Sequence, residues 1–394
     1  MPAIALAPGL YWVGAIDWNM RDFHGYATPR GTTYNAYLVV DKKIALVDTV
    51  MAPFGQEMLD RVRQVVDPAK IDYVVVNHLE MDHSGCLPYV MEVARNATVI
   101  TSQRFGEQAM EATFHARWNL KPVKEGDSIN LGQRTLQFLP IPMLHWPDSM
   151  ATYIPEQNVL LPNDAFGQHL ASSQRFDDEI GLEMVMSEAT TYYAEIVMPY
   201  GDVVLRTLKK LGDLNIKLIG PSHGIVWRSH VKDIIEAYAA WGRGQTKPRV
   251  VVVYDTMWGS TERMARALVE GTTSEGVDTM LFSLKASHRT EIIKEVLEAR
   301  VLAVGTPTLN NGMFPTVADF LCFLKGLKPK GKIGLAFGSY GWAGGGTRAV
   351  KNELQQAGLQ VMEEELSVKY VPDGEVLGRC FETGRALARR AREG

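Results

Sequence analysis

Residues 73–86 read Tyr73-Val-Val-Val-Asn-His78-Leu-Glu80-Met-Asp82-His83-Ser-Gly-Cys86. The apolar run Tyr73–Val76 has the length and β-branched content of a buried strand. In the six residues that follow Asn77, four side chains are of metal-ligating type: His78, Glu80, Asp82 and His83. A loop at the end of a rigid strand is a place where a scaffold presents ligands. Glu80 adds a hard oxygen donor to an otherwise imidazole-rich set. Harder, carboxylate-rich sets shift the plausible metals from zinc towards iron or manganese.

Three further ligand-type residues lie downstream. His145 stands in Met143-Leu-His-Trp-Pro147, Asp164 in Leu161-Pro-Asn-Asp-Ala165 and His223 in Gly220-Pro-Ser-His-Gly224. Each occupies a short loop with Pro or Gly nearby, and the strand candidates Val159–Leu161 and Ile216–Ile219 precede the last two. One such histidine alone is usually structural. Seven ligand-type residues in this order point to a metal centre, and one metal has no use for seven ligands.

The order resembles the metallo-β-lactamase superfamily, whose loop reads H-x-H-x-D-H and is followed by His, Asp and His. The strand ending Ala45-Leu-Val-Asp48 is also typical of that fold. Glu80 departs from the hydrolase pattern, and the H-x-E-x-D-H variant resembles the flavodiiron proteins (A-type flavoproteins, including the rubredoxin:oxygen oxidoreductases). The resemblance implies that His78, Glu80 and His145 bind one iron. It implies that Asp82, His83 and His223 bind a second, with Asp164 bridging. Two ferrous ions, three carboxylates and one hydroxide sum to zero charge, which limits the cost of burying the site.

The texture changes near residue 245. Trp241-Gly-Arg-Gly-Gln-Thr-Lys-Pro248 is polar and rich in Gly, as linkers are. Domains are expected at 1–246 and 249–394. The first mixes short strands, at Tyr34–Val40, Lys43–Thr49, Ile71–Asn77 and Ala97–Thr101, with a few helices. The second alternates regularly, with strands at Arg249–Tyr254, Thr279–Ser283, Val301–Gly305, Ile333–Phe337 and Leu359–Glu363. Strands alternating with helices predict a doubly wound parallel sheet, with ligands beyond the carboxyl ends of its strands.

Three loops follow strands at that edge. The first, Thr256-Met257-Trp258-Gly259-Ser260-Thr261, is hydroxyl-rich and opens a helix, which suits a terminal phosphate. It has neither a Walker lysine nor G-x-G-x-x-G, so ATP and NAD fit poorly. The second contains Pro307, Thr308, Leu309, Asn310 and Asn311. The third contains Ser339, Tyr340, Gly341, Trp342, Ala343 and Gly344. Aromatic rings in glycine-rich loops suit a flat ligand. Together the loops resemble the FMN site of flavodoxin. The two resemblances imply a fold class of α/β and α+β: an N-terminal metallo-β-lactamase-like αββα sandwich followed by a C-terminal flavodoxin-like doubly wound parallel sheet.

Composition removes several functions. Lys plus Arg number 41 against 45 Asp plus Glu, a net charge of −4, which gives no electrostatic case for nucleic-acid binding. Cys86, Cys322 and Cys380 are far apart, so no disulfide framework, zinc ribbon or rubredoxin-type iron site is expected. No stretch approaches the ~20 apolar residues of a membrane span, and the N-terminus lacks a basic leader. A cytoplasmic, non-membrane protein is expected.

A diferrous pair and a reduced FMN together hold four electrons, the number that takes dioxygen to two waters. Two electrons couple two nitric oxide molecules into nitrous oxide. The resemblance implies an oxidoreductase acting on either gas, a rubredoxin or reduced deazaflavin as donor, and a head-to-tail homodimer or dimer of dimers. His24, Tyr26 and Tyr193 are candidate proton or hydrogen-bond donors to the substrate, with Trp146 beside them. The rival readings are a dizinc hydrolase with an accessory flavodoxin domain and a non-catalytic electron carrier.

Overall fold

The computed structural model describes residues 1–364 and 366–393. The chain forms two compact units, Met1–Tyr192 with Asp202–Ala239, and Tyr193–Gly201 with Ala240–Gly394. The division falls at Ala239/Ala240, a few residues before the boundary expected at 246/249, and Tyr193–Gly201 packs with the second unit.

The first unit contains a seven-stranded and a five-stranded sheet. In the larger sheet, Ile44–Val47, Tyr73–Val75 and Thr98–Ser102 run parallel as neighbours. Their side chains alternate between faces, as a pleated strand requires. Leu46, Val74 and Val99 pack with Met58, Leu59, Val62, Leu87 and Val90 of the helices Gly55–Arg63 and Leu87–Val93. Val47, Val75 and Ile100 face the other way and join Phe138, Met150, Ile154 and Leu161 of the smaller sheet. One valine pair, Val74 and Val75, therefore serves two cores. Each such fully buried side chain contributes about 1.5–3 kcal/mol.

The smaller sheet is an antiparallel run through Ser128–Asn130, Thr135–Pro140, Met150–Ile154 and Val159–Asn163, closed by Leu218–Pro221 parallel to the last. Only its two final strands were legible in the pattern. The edge strand Asn119–Val123 of the larger sheet was also missed. It carries Pro122, which an edge position tolerates and a strand pattern disguises.

The second unit has a parallel sheet in the order Asp278–Ser283, Lys247–Tyr254, Ala299–Pro307, Ile333–Tyr340. Chain order 2-1-3-4 is that of a doubly wound fold whose switch point lies between Lys247–Tyr254 and Ala299–Pro307. The fifth strand differs from expectation. Gln360–Val361 pairs with the start of Ile333–Tyr340, and Leu366–Lys369 pairs with its end. The helices Ser260–Ser274 and Gly374–Arg392 lie together over one face, burying Leu268, Cys380 and Leu387. No helix among the described residues is long and apolar enough to cross a membrane.

Candidate metal centre and flavin cleft

Four strand ends meet in the first unit. Asp48, His78, Asp164 and His223 each follow closely on a strand, two from either sheet. Asp48 ties three of these ends together: it accepts from the Asn77 N–H at 2.8 Å, from Asn77 Nδ2 at 3.0 Å and from Asn163 Nδ2 at 3.2 Å. A buried carboxylate is costly unless so bonded. Asp48 and Asn163 both adopt positive φ, of 57°, where Asn and Asp are tolerated better than other side chains. The turn at Asn163 delivers Asp164.

The ligand atoms fall into two groups that share one residue. His78 Nε2 lies 3.2 Å from Glu80 Oε2, and His145 Nε2 lies 3.3 Å from it. Asp164 Oδ2 completes this group, 3.2 Å from His145 and 3.7 Å from His78. In the second group Asp82 Oδ2 lies 3.3 Å from His83 Nε2 and 3.0 Å from His223 Nε2. The other oxygen of Asp164, Oδ1, lies 3.0 Å from His83 and 3.6 Å from His223. Two ligands with bonds of about 2.0–2.2 Å to one metal lie roughly 3 Å apart. The spacing therefore suits two metals joined through Asp164.

Hydrogen bonds present the correct imidazole edge. His223 donates Nδ1–H to the Thr33 carbonyl at 2.6 Å, and the Nδ1 of His78 faces both oxygens of Asp148 at 3.2 Å. Each leaves Nε2 facing the cluster with a free lone pair. Asp164 Oδ1 also accepts from Ser222 at 2.7 Å and from Tyr192 at 3.1 Å.

The electrostatics call for cations. Burial, the largest influence on His78, His83 and His145, opposes their protonation. The surrounding carboxylates nevertheless push all three up, His83 to about 9. Burial likewise raises Glu80, yet His145 and His78 hold it well below the carboxylate range. Among the described residues, His83 Nε2 and Asp164 Oδ2 are buried without a hydrogen-bond partner. Carboxylates that draw protons onto neighbouring imidazoles lack positive charge, and divalent metal ions supply it.

His24 stands at the open side, its Nε2 3.4 Å from Glu80 Oε1 and its side chain 66% exposed. Tyr26 lies on the same short hairpin, partly buried. Trp146 packs edge-on against His78, with ring centroids 4.9 Å apart. Tyr193 is placed differently. Its ring is fully buried against Trp241 within the second unit. Its neighbour Tyr192 is the tyrosine that reaches Asp164. Adjacent helical residues point about 100° apart, so a displacement of one residue changes the face. Asp148, Ser222 and His169 were also missed. His169 is buried against His223, Tyr192 and Phe23, with Thr32 Oγ1 2.9 Å from its Nδ1. Of these only Asp148 carried a signal, three residues past His145 in the same loop.

In the second unit the three loops line a cleft of about 640 Å³. Thr256, Met257, Trp258, Ser260, the segment 307–311 and the segment 339–343 all contribute. Thr261 is buried behind the surface, and Gly259 is half-buried between two lining residues. Gly259 has φ of 84° at the start of the helix Ser260–Ser274, and Thr261 Oγ1 lies 3.1 Å from Ser339 Oγ. No side chain caps this helix, so its first N–H groups remain available to an anion. Gly344 lines an adjoining hollow with Arg348. Gly345 has φ of 145°, and a Cβ there would meet the Asn311 carbonyl at 2.2 Å, so only glycine keeps the loops this close. Tyr370 and Val371 also line the cleft. They follow the unrecognised strand Leu366–Lys369.

Residues 32–224 match the family described as ODP family beta lactamase, and residues 252–384 match flavodoxin. The chain is 50% identical over 392 residues to a nitric oxide reductase of Moorella thermoacetica, covering 98% of each. It is similar to the solved rubredoxin oxygen:oxidoreductase of Desulfovibrio gigas, with a TM-score of 0.97 at 41% identity over 99% of each chain. The flavodiiron protein of Giardia intestinalis also gives 0.97, at 34% identity over 100% of this chain and 97% of that one. With its two ligand clusters and its flavodoxin cleft, the chain belongs to the flavodiiron proteins, oxidoreductases that carry FMN and a diiron centre.

Proposed function

We propose that the chain reduces dioxygen to water, nitric oxide to nitrous oxide, or both, with electrons relayed through FMN from a rubredoxin-like donor. His78, Glu80 and His145 would hold one iron, and Asp82, His83 and His223 the other. One observation carries this reading: the two oxygens of Asp164 face two separate ligand groups. Thr256–Thr261 would hold the flavin phosphate, and the segments 307–311 and 339–344 would hold the ring.

The bound cofactors supply electrons and open metal positions for a small substrate. The chain supplies position and protons. Trp146 walls the His78 side, and His24, exposed beside Glu80, is placed to pass protons inward. Tyr26 on the same hairpin favours dioxygen over nitric oxide. The indoles of Trp258 and Trp342, 94% and 89% exposed at the cleft, suit cover by a second copy in a head-to-tail homodimer or a dimer of dimers. The setting is the cytoplasm. A dizinc hydrolase is disfavoured, because Glu80 stands where that class carries histidine and the flavodoxin cleft has no role in hydrolysis.

The test is an anaerobic assay with reduced rubredoxin, offering dioxygen and nitric oxide in turn. Consumption of at least one gas, lost when iron or FMN is removed, is expected. Consumption of neither by protein loaded with both cofactors would overturn the reading.

A further inference from the structure

The two metal positions have donor sets of the same kind. Each takes two imidazoles, one carboxylate of its own and one oxygen of Asp164. Their surroundings differ. Behind the first position, His78 turns Nδ1 to a carboxylate, with both oxygens of Asp148 at 3.2 Å. Asp148 is only 4% exposed, and one of its oxygens also accepts the Leu79 N–H at 2.8 Å, so it cannot swing away without leaving a buried donor unpaired. Behind the second position, His223 gives Nδ1–H to a neutral carbonyl, that of Thr33. His83 Nδ1 is buried with no hydrogen-bond partner among the described residues.

A carboxylate partner makes an imidazole a stronger donor to its metal than a neutral carbonyl does, because it places a full negative charge behind the ring. The first position also needs that help more. The side chains of Glu80 and His145 are 19% and 16% exposed, against 6% and 2% for Asp82 and His223. Water thus competes for the metal on the first side, an effect opposite in sign to that of the Asp148 charge, whose loss behind a metal-bound imidazole typically costs about 10–100-fold in affinity.

We propose that Asp148 is a positioning residue that makes the two metal positions unequal, so that the iron held by His78, Glu80 and His145 is bound the more tightly. Asp148 acts through His78, fixing its tautomer, its ring plane and its donor strength. The proposal rests on reading the cluster as two iron sites.

The test is an anaerobic Fe(II) titration of full-length, FMN-loaded protein whose iron has been removed by chelation. Asp148→Asn keeps the shape of the side chain and an oxygen acceptor for Leu79, and removes the charge. It is expected to weaken one of the two Fe(II) equivalents by about 10–100-fold while the other stays within about threefold. Equal weakening of both, or of neither, would overturn the proposal. The unmutated protein gives a second measurement that does not depend on the variant folding. Crystals loaded with one Fe(II) per chain should concentrate iron anomalous scattering between His78, Glu80 and His145. Equal occupancy, or preference for Asp82, His83 and His223, contradicts the proposal. If the unmutated chain binds no iron at all, the two-iron reading itself fails. If it binds two irons equally, only the role given to Asp148 fails.

Discussion

The metal cluster and the flavin cleft solve opposite problems. The cluster gathers seven side chains from His78 to His223, delivered by loops of two sheets, and buries most of them. The cleft uses three short loops at one edge of one sheet and stays open, with two indoles almost wholly exposed. A buried polar cluster is costly unless every charge has its counterpart. An open cleft carries no such debt, but it depends on backbone shape. Side-chain charge should therefore govern the first region, and loop geometry the second.

The largest effect tests the shared ligand. Asp164→Ala should release both irons and lower turnover by at least about 100-fold, more than an outer-partner change would. FMN content should stay at the parent level, because the residue lies in the other unit. Iron and flavin analysis of the purified variant checks this, and loss of both cofactors together would break the comparison.

Next comes the converse. Gly345→Val forces a side chain onto the Asn311 carbonyl at a positive φ. FMN affinity should fall about tenfold or more by fluorescence titration, with iron content unchanged. A cleft governed by side-chain charge would tolerate this substitution.

Glu80 and Glu195 are both largely buried carboxylates. Imidazoles hold Glu80 down, whereas burial pushes Glu195 up to about 8, against smaller opposing effects from Thr290 and Arg289. A carboxyl raised in the fold contributes stability in full below its unfolded value of 4.5 and loses it as pH rises through about 8. Glu195→Gln should match the parent near pH 4 and exceed it by about 1–3 kcal/mol at pH 9 in denaturant melts. A constant difference across that range would mean that Glu195 is not held neutral in the fold.

The smallest effect concerns substrate choice. Tyr26→Phe should shift the ratio of dioxygen to nitric oxide turnover by less than about tenfold, the worth of one hydrogen bond. An unchanged ratio in paired assays would remove Tyr26 from selectivity.

Much of this was legible because the critical residues sit where local rules apply. The loop His78–His83 is contiguous and follows a clear strand. His145, Asp164 and His223 stand in Pro- or Gly-marked loops. The regular alternation after residue 249 announces a parallel sheet. What escaped was chosen by tertiary geometry. Asp148 meets His78 across 70 residues, and no periodicity records that. Tyr192 rather than Tyr193 faces Asp164, because the helix Leu182–Tyr192 gives way to a π-helical turn at Tyr193. That choice of face depends on phase within the helix. Tyr370 and Val371 follow a strand of only four residues, Leu366–Lys369, whose acidic neighbours hid it.

One chain unites a two-iron cluster with a flavin cleft. Metal and flavin analysis of the protein as purified tests it most directly. Two irons and one FMN per chain are predicted. Two zincs and no flavin would contradict the account.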